Sequence, residues 1–394
     1  MVGDGGTWIV RNVTIMEIAG FTKGMLHSFL DWFLPILLIQ RGVTTFALSY
    51  TLSMPLSSAS ALMGGYFADK SRKWPLVSAD AIFVLSLSML SASVYYQLLD
   101  AVALPLSVCL YNVSEAWPTS PSFLTRVESV PKSFQGKFLS LGIPTSAGSG
   151  IVGSLLFGYM YLSLGNELFK YLVLIALAIV ILRLFIVETV SPLETSRNYF
   201  SGLKPLLFER TYRSVLVLSL LLGLATVSAA FLSPFLCEAG KLDVTSIAFL
   251  FSILNAVRLV SALFHGYVID KTREKYAFMK VASAALLAGG FSLALFIILT
   301  PWNSIFAWLI LVPQALIPFY RPAINIFIAV HYVQYRGMAI AGMHALSDLT
   351  ALLFPLMTLA WISSPLLCLL IFNSLATLLG GLILYSTSRR LTYE

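Results

Sequence analysis

Residues 65–74 read GYFADKSRKW, and 201 positions later residues 266–275 read GYVIDKTREK. Each stretch closes a long apolar run with Gly-Tyr, places an aspartate three residues on, and then crowds cations into the next few positions. The repeat is wider than the turn itself. Ser60, Ala61, Leu62, Gly65, Tyr66, Asp69, Lys70 and Arg72 match Ser261, Ala262, Leu263, Gly266, Tyr267, Asp270, Lys271 and Arg273 at the same offset, eight identities within thirteen positions. Pro121 and Pro322, then Gly136 and Gly337, stay in that register. A period this long, held in phase, is the signature of a duplicated structural unit.

Composition supplies the class to which the unit belongs. Of 394 residues, 58% are hydrophobic and 11% are charged, against roughly 25% charged in an ordinary soluble domain. A soluble protein is excluded. Apolar runs near the 18 to 20 residues needed to cross a bilayer recur along the chain, near 16–39, 43–67, 75–97, 101–125, 137–161, 168–188, 214–236, 245–269, 277–299, 303–329, 338–361 and 364–386. Twelve transmembrane helices are therefore expected, the first of them serving as the targeting segment in place of a cleaved signal. Cys109, Cys237 and Cys368 are scattered through the spans without metal-ligand spacing and read as small apolar residues.

The net charge of +7 reports topology, not a nucleic-acid partner. With the amino terminus inside, 18 of the 25 Lys and Arg fall on the cytoplasmic side, among them Lys70, Arg72, Lys73, Lys271 and Arg273; Arg41, Lys170 and Lys241 alone fall outside. That asymmetry is the positive-inside pattern of a multi-pass cell-membrane protein with both termini cytoplasmic. The polar interval 189–213, carrying Pro, Ser, Thr and four cations, is the expected linker between a six-helix bundle at 1–188 and a second at 214–394.

On these residues the chain resembles the major facilitator superfamily. The family's signature between helices two and three is matched by Gly65, Asp69, Lys70, Arg72 and Lys73, with a degenerate copy at Gly266, Asp270, Lys271 and Arg273. A second family pattern is matched by Glu128, Pro131 and Gly136, with Gln135 where a cation is usual. The resemblance implies an all-α membrane protein of two pseudo-symmetric six-helix bundles working by alternating access, with helix two beside helix eleven and helix eight beside helix five. It also implies a latch. Asp69 would sit at the amino-terminal end of helix eleven, and Asp270 at that of helix five, while the cytoplasmic side is closed. Small residues at intervals of four, Gly142, Ser146, Gly150 and Ser154 on helix five and Ser53, Ser57, Ala61 and Gly65 on helix two, suit close helix approach. The arginine that many proton-coupled members carry in helix four is absent from LPLSVCLYNVSEAW (104–117), which offers Asn112 and Glu115, and helix five lacks the antiporter glycine-proline signature.

Ionisable residues inside the spans are the candidate site, because each costs ~2.5 to 3.5 kcal/mol facing lipid at the bilayer centre and so must face protein or water. Lys23, His27 and Asp31 share one face of helix one at intervals of four. Helix four carries Glu115, helix eight Arg258, helix ten Arg321, and helix eleven His344 and Asp348. Since the family lines its cavity with helices one, four, seven and ten, the resemblance implies that Asp31, Glu115 and Arg321 converge there with Tyr320 and Asn325 nearby. A structural Glu115–Arg321 ion pair is the competing expectation. Pro118 and Pro121 should interrupt helix four, and Pro313, Pro318 and Pro322 helix ten, which makes EAWPTSP (115–121) and IPFYRP (317–322) candidate substrate contacts. Trp117 and Tyr320 add aromatic faces. Glu17, Asp80 and Arg183, near span ends, are expected to snorkel to the interface.

Nothing in the sequence has a catalytic, cofactor or metal-site pattern, so an enzyme is not expected. The expected function is secondary active transport of a small organic solute by a monomer, driven by protons through Asp31 or Glu115. Export of amphipathic compounds is favoured narrowly over nutrient uptake. The alternative is a transporter-derived sensor or binding protein that moves nothing. The topology is checked with single cysteines replacing Ser196 and Thr300 in a background lacking the native three. They are expected to react with an impermeant thiol reagent from opposite sides of the membrane, and labelling from one side contradicts the assignment.

Overall fold

A computed structural model describes residues 5–68, 70–96, 100–128, 135–188, 207–271, 276–299, 310–332 and 336–393. They form twelve helical rods: α1 (Gly5–Gln40), α2 (Val43–Ala68), α3 (Lys73–Tyr95), α4 (Asp100–Ala116, then Thr119–Glu128), α5 (Gln135–Leu164), α6 (Leu168–Leu184), α7 (Arg210–Glu238), α8 (Val244–Lys271), α9 (Ala277–Ile298), α10 (Val312–Phe319, then Tyr320–His331), α11 (Arg336–Leu349, Thr350–Leu353 and Phe354–Ser363) and α12 (Pro365–Cys368, Leu369–Leu375 and Ala376–Tyr393). Each corresponds to one expected span. Six, namely α3, α7, α8, α9, α11 and α12, contain a window long and apolar enough to cross a membrane by composition alone. Three of the others are diluted or short: α1 carries Glu17, Lys23 and Asp31, α2 is rich in serine, and α6 has 17 residues.

Local chemistry explains the irregularities. The first helix begins at Gly5, eleven residues before the expected start, because Arg11 and Glu17 lower hydropathy without breaking a helix. Pro118 splits α4 as expected: the first segment ends with the Trp117 amide on the Val113 carbonyl at 3.0 Å, and the second begins with the Ser122 amide on the Pro118 carbonyl at 2.8 Å. Around Pro313 and Pro318 the chain of α10 is a 3₁₀ helix, and it turns α-helical at Tyr320, with Pro322 already inside that segment. Two breaks carry weaker sequence signals. Pro355 at the start of Phe354–Ser363 sets off the 3₁₀ turn in α11, and a π-helical stretch Leu369–Leu375 lets Asn373 donate to the Ala225 carbonyl at 2.9 Å and Ser374 to the Gly290 carbonyl at 2.7 Å.

Between the halves the helices pack as the family pattern requires. Against α11, α2 places Ser57 on the Asp348 carboxylate at 2.6 Å, Ser58 on the Ala345 carbonyl at 2.9 Å, and Ala61 in a buried cluster with Ala116 and Ala345. Against α8, α5 offers glycines: a Cβ on Gly150 would lie 2.6 Å from the Asn255 side chain, and one on Gly158 would lie 2.8 Å from the Ala248 Cβ. At the end of the bundle remote from the termini, aromatic rings seal the seam. Phe354 of α11 stacks on Tyr50 of α2 at 4.8 Å and on Phe231 of α7 at 5.0 Å, while Phe46 and Trp361 meet Phe231 edge-on or tilted at 5.1 Å. Trp32 of α1 faces Phe251 of α8 at 6.4 Å. Such offset and edge contacts add to plain apolar burial. This end is closed.

At Gly64, Gly153 and Gly223 another helix's backbone comes closer than a Cβ would permit. A Cβ on Gly153 of α5 would lie 2.2 Å from the Met25 carbonyl oxygen of α1, whereas one on Gly148 would meet only the Phe21 ring at 3.7 Å. Backbone cannot rotate away as a side chain can. Gly153→Ala is therefore expected to lower stability by ~1–3 kcal/mol, the range for overpacking, and Gly148→Ala to leave it nearly unchanged. The thermal midpoint of the detergent-purified protein, read by size-exclusion recovery, checks the contrast.

Candidate functional site

Three residues spaced by four on α1 read onto α4. The Lys23 ammonium lies 3.1 Å from the Asp80 carboxylate on α3 and 3.8 Å from Glu115, and it donates to the Ser114 carbonyl at 3.3 Å. One turn on, His27 Nε2 lies 3.0 Å from the Glu115 carboxylate, and Nδ1 lies 2.8 Å from the Tyr111 hydroxyl. One turn further, Asp31 accepts from that same hydroxyl at 2.6 Å. The result is a polar chain, Asp31–Tyr111–His27, hydrogen-bonded as far as Nδ1 and extended to Glu115 by the 3.0 Å approach of Nε2, which is close enough for an ion pair but is not aligned as a hydrogen bond; Lys23 flanks its far end. His27 is held flat by stacking on Phe83 at 4.7 Å.

Two expectations are corrected here. Glu115 does not pair with Arg321; its partners are Lys23 and His27, because the i, i+4 face of α1 presents a cation and an imidazole to α4. Asp80 and Arg183 do not snorkel. They are 2% and 5% exposed and meet at 3.1 Å, so Asp80 is gripped by Lys23 and Arg183 together. Arg183 stands in the last turn of α6 and Asp80 two turns into α3, yet both are buried, and mutual pairing satisfies them instead. Glu17, by contrast, accepts from the Thr145 hydroxyl at 2.5 Å. Lys23, expected to face substrate, is spent on Asp80.

The C-terminal half contributes a different chemistry. Arg321 donates from Nε to the Tyr320 hydroxyl at 3.1 Å, and its guanidinium lies 5.9 Å from that ring's centre. It lines a small cavity with Ser219, Tyr320, Met343, His344 and Ser347. His344 Nε2 and Asn325 Oδ1 are buried and without hydrogen-bond partners. Arg258 on α8 donates to Asn255 Oδ1 at 3.1 Å, and its Nε has no partner. Asp348 is taken by Ser57 across the seam. Asn112 donates to Ser53 at 3.0 Å, and Trp117 lies in the α4 break, stacked on Phe67 at 5.8 Å with its backbone carbonyl against Gly64. Both pack on α2 and both stay partly exposed.

Of the signature turn, Asp69 and Arg273 lie outside the described residues, as do Pro131 and the side chains of Glu128, Gln135, Asp270 and Lys271. What is described is a clamp. The Glu188 carboxylate, just past α6, accepts from the Arg72 amide at 2.8 Å, the Lys73 amide at 3.2 Å and the Ser71 hydroxyl, so an anion sits on the amino-terminal end of α3. Lys70 reaches the Tyr66 hydroxyl and ring.

The sequence profile described as Major Facilitator Superfamily matches residues 16–355. The chain belongs to that superfamily. It is accordingly a multi-pass membrane protein of a transporter family, not an enzyme. Among solved structures it is similar to the human organic anion transporter MFSD10 (TETRAN), with a TM-score of 0.71, 15% identity and coverage of 95% of this chain and 99% of that one. It is also similar to the proton:xylose symporter XylE bound to 6-bromo-6-deoxy-D-glucose, at 0.72 and 14%, covering 98% and 95%. The E. coli fucose:proton symporter FucP follows at 0.66 and 11%, covering 97% of each chain. At these identities the likeness is one of fold. No curated protein sequence matches the chain.

The signals that point to the missed partners are modest. Tyr111 stands four residues before Glu115 on α4, which places hydroxyl and carboxylate on one face. Asp80 is central to the pairing, since Asp80→Asn leaves Lys23 and Arg183 facing each other around a neutral amide, whereas Arg183→Met leaves the Lys23–Asp80 pair intact. Removing one partner of a buried pair costs ~3–5 kcal/mol. Asp80→Asn is expected to lower the thermal midpoint clearly more than Arg183→Met, measured on the two purified variants side by side.

Proposed function

We propose that this chain is a proton-coupled secondary transporter of a small organic solute, in which Asp31 and Glu115 share one exchangeable proton through Tyr111 and His27. The supporting observation is the hydrogen-bonded run Asp31–Tyr111–His27 with Glu115 3.0 Å from the free Nε2; in this reading a small turn of the carboxyl aligns that last contact as a hydrogen bond, and the hydrogen count of the joined chain then follows. A tyrosine hydroxyl has a single hydrogen. When Asp31 is ionised it takes that hydrogen, so His27 must donate from Nδ1 to the Tyr111 oxygen. Nε2 is then an acceptor, and the proton between it and Glu115 comes from the Glu115 carboxyl. When Asp31 is protonated, every bond reverses: Asp31 donates to Tyr111, Tyr111 to Nδ1, and Nε2–H to the Glu115 carboxylate. Net transfer of one proton from Glu115 to Asp31 separates the two states, and the protein's charge is the same in both.

Electrostatics bias the two ends oppositely. Lys23 at 3.8 Å favours the Glu115 anion. Arg258 and Arg321, both within electrostatic reach of Asp31, favour the Asp31 anion. Rocking of the halves about the α2–α11 and α5–α8 seams changes the distance from Asp31 to the two arginines, which belong to the other half. Alternating access thereby becomes coupled to the proton's position. In this reading the halves are 1–188 and 214–394, the linker 189–213 and both termini are cytoplasmic, the membrane is the cell membrane, and the protein acts as a monomer. Asp69 latches the cytoplasmic side closed. The aromatic seal at the remote end is then the outer gate. The contents of the site give no added reason to favour export over uptake.

In proteoliposomes with an imposed pH gradient, Asp31→Asn is expected to abolish uphill accumulation while retaining counterflow exchange, and Glu115→Gln to weaken coupling less. Tyr111→Phe, which keeps both carboxylates and cuts the chain between them, is expected to slow pH-driven accumulation by about a hundredfold, the lower end of the range for positioned proton transfer. Full pH-driven accumulation in Asp31→Asn contradicts the reading.

A further inference from the structure

Every described ion pair lies in the N-terminal half: Lys23 with Asp80 and Glu115, His27 with Glu115, Arg183 with Asp80, and Lys170 with Glu167. The two interior arginines of the other half have none. Arg258 has the amide of Asn255, and Arg321 has the hydroxyl of Tyr320, each using one of five guanidinium donors. Both groups are inside the membrane-spanning part of the chain, where an uncompensated cation is costly. The carboxylates within electrostatic reach are Asp31 for Arg258, and Asp31, Asp348 and Glu115 for Arg321. Each is already bonded elsewhere, to Tyr111, to Ser57, or to Lys23 and His27.

The groups around Arg321 are donors or neutral. In its cavity stand His344, with a buried unpartnered Nε2, and the hydroxyls of Tyr320 and Ser347. A planar guanidinium beside an imidazole and hydroxyls matches the geometry and the charge of a carboxylate, which a guanidinium binds through two parallel hydrogen bonds. It does not match an amine. A neutral sugar, the ligand class of the structurally similar symporters, would bring no anion to either arginine once Asp31 is protonated.

We propose that the transported solute is a small organic monoanion whose carboxylate is held by Arg321 and His344, with Arg258 as the second cation of the site. The proposal rests on the proton-coupled reading and gives it a stoichiometry. Arg258 and Arg321 are balanced by Asp31 and Asp348 when both carboxylates are ionised. When Glu115 takes a proton from water and passes it through His27 and Tyr111 to Asp31, Glu115 ends as the anion it began as, the arginine group holds one excess positive charge, and the bound monoanion cancels it. The converse also holds: an anion on the arginines screens the attraction that keeps Asp31 ionised, so anion binding draws the proton onto Asp31. Proton and anion bind together and move in one direction, an electroneutral symport.

The test is binding of defined probes to the full-length purified protein, read as the shift of its thermal unfolding midpoint at constant ionic strength. Hexanoate and benzoate are compared with hexanamide, benzamide, hexylamine and benzylamine. The carboxylates are expected to stabilise, and the amides and amines not. Arg321→Gln is expected to weaken the carboxylate response at least tenfold, Arg258→Gln several-fold, and Arg321→Lys to retain part of it, which separates lost charge from lost folding. Asp31→Asn, a neutral mimic of the protonated acid, is expected to bind the carboxylates at least as tightly as the parent. Stabilisation by amines or amides in preference, no response to either carboxylate, an unaltered response in Arg321→Gln, or loss of it in Asp31→Asn overturns the proposal. Because this readout needs no pH gradient, arginine-dependent binding with no proton-driven accumulation refutes the coupling alone and leaves the anion assignment standing.

Discussion

The approach of Glu115 to His27 and Lys23 is the contact on which the polar interior depends. The Glu115 side chain is half-exposed within the bundle, and it has both a cation and an imidazole within 4 Å. From that choice the rest follows. If the cation satisfies Glu115, the imidazole is neutral, its orientation is set by stacking on Phe83, and its other nitrogen must deal with Tyr111 and so with Asp31. If the proton satisfies it, the same bonds run the other way. In the proposed reading the interior of the N-terminal half is a two-state element, and small changes at its Asp31 end are felt at Glu115.

The two halves descend from one repeated unit but have divided the work. The N-terminal half pairs its ions internally and holds the proton chain; the C-terminal half carries Arg258 and Arg321 without partners of opposite charge within 4 Å among the described residues. Contacts across the seam are made by small residues, glycines on α5 and serines on α2, with aromatic rings at one end. Such a seam slides easily and stores its specificity in few places. Ser57 on Asp348 is one of them, since it ties a carboxylate of one half to a hydroxyl of the other. A rocking motion that parts α2 from α11 leaves that carboxylate in search of another donor, and Arg321 is the cation within its electrostatic reach.

Much of the fold was legible in the sequence, because hydropathy and the duplicated turn depend on local order. The span count, the break at Pro118 and the shared face of Lys23, His27 and Asp31 all come from spacing along one helix. What spacing along one helix does not encode is the partner on the next. Asp80 meets Lys23 across 57 residues and Arg183 across 103, and no periodicity links such positions, so two buried residues read as interfacial ones. Trp117 was legible as an aromatic beside a proline kink; that the kink turns it onto Phe67 and Gly64 of α2 is a property of packing. The aromatic seal drew no sequence signal either, since Phe46, Phe231 and Phe354 are three phenylalanines among 27.

The account turns on one imidazole. With ¹⁵N-histidine labelling in a background where the other histidines are replaced, the nitrogen shifts of His27 distinguish Nδ1–H, Nε2–H and the doubly protonated ring. The parent protein is expected to show a neutral ring in exchange between both tautomers, and Asp31→Asn, whose amide donates to Tyr111 as a protonated acid does, to show the Nε2–H form alone. A ring that is doubly protonated in both proteins, or a tautomer that ignores the change at Asp31, contradicts the shared proton.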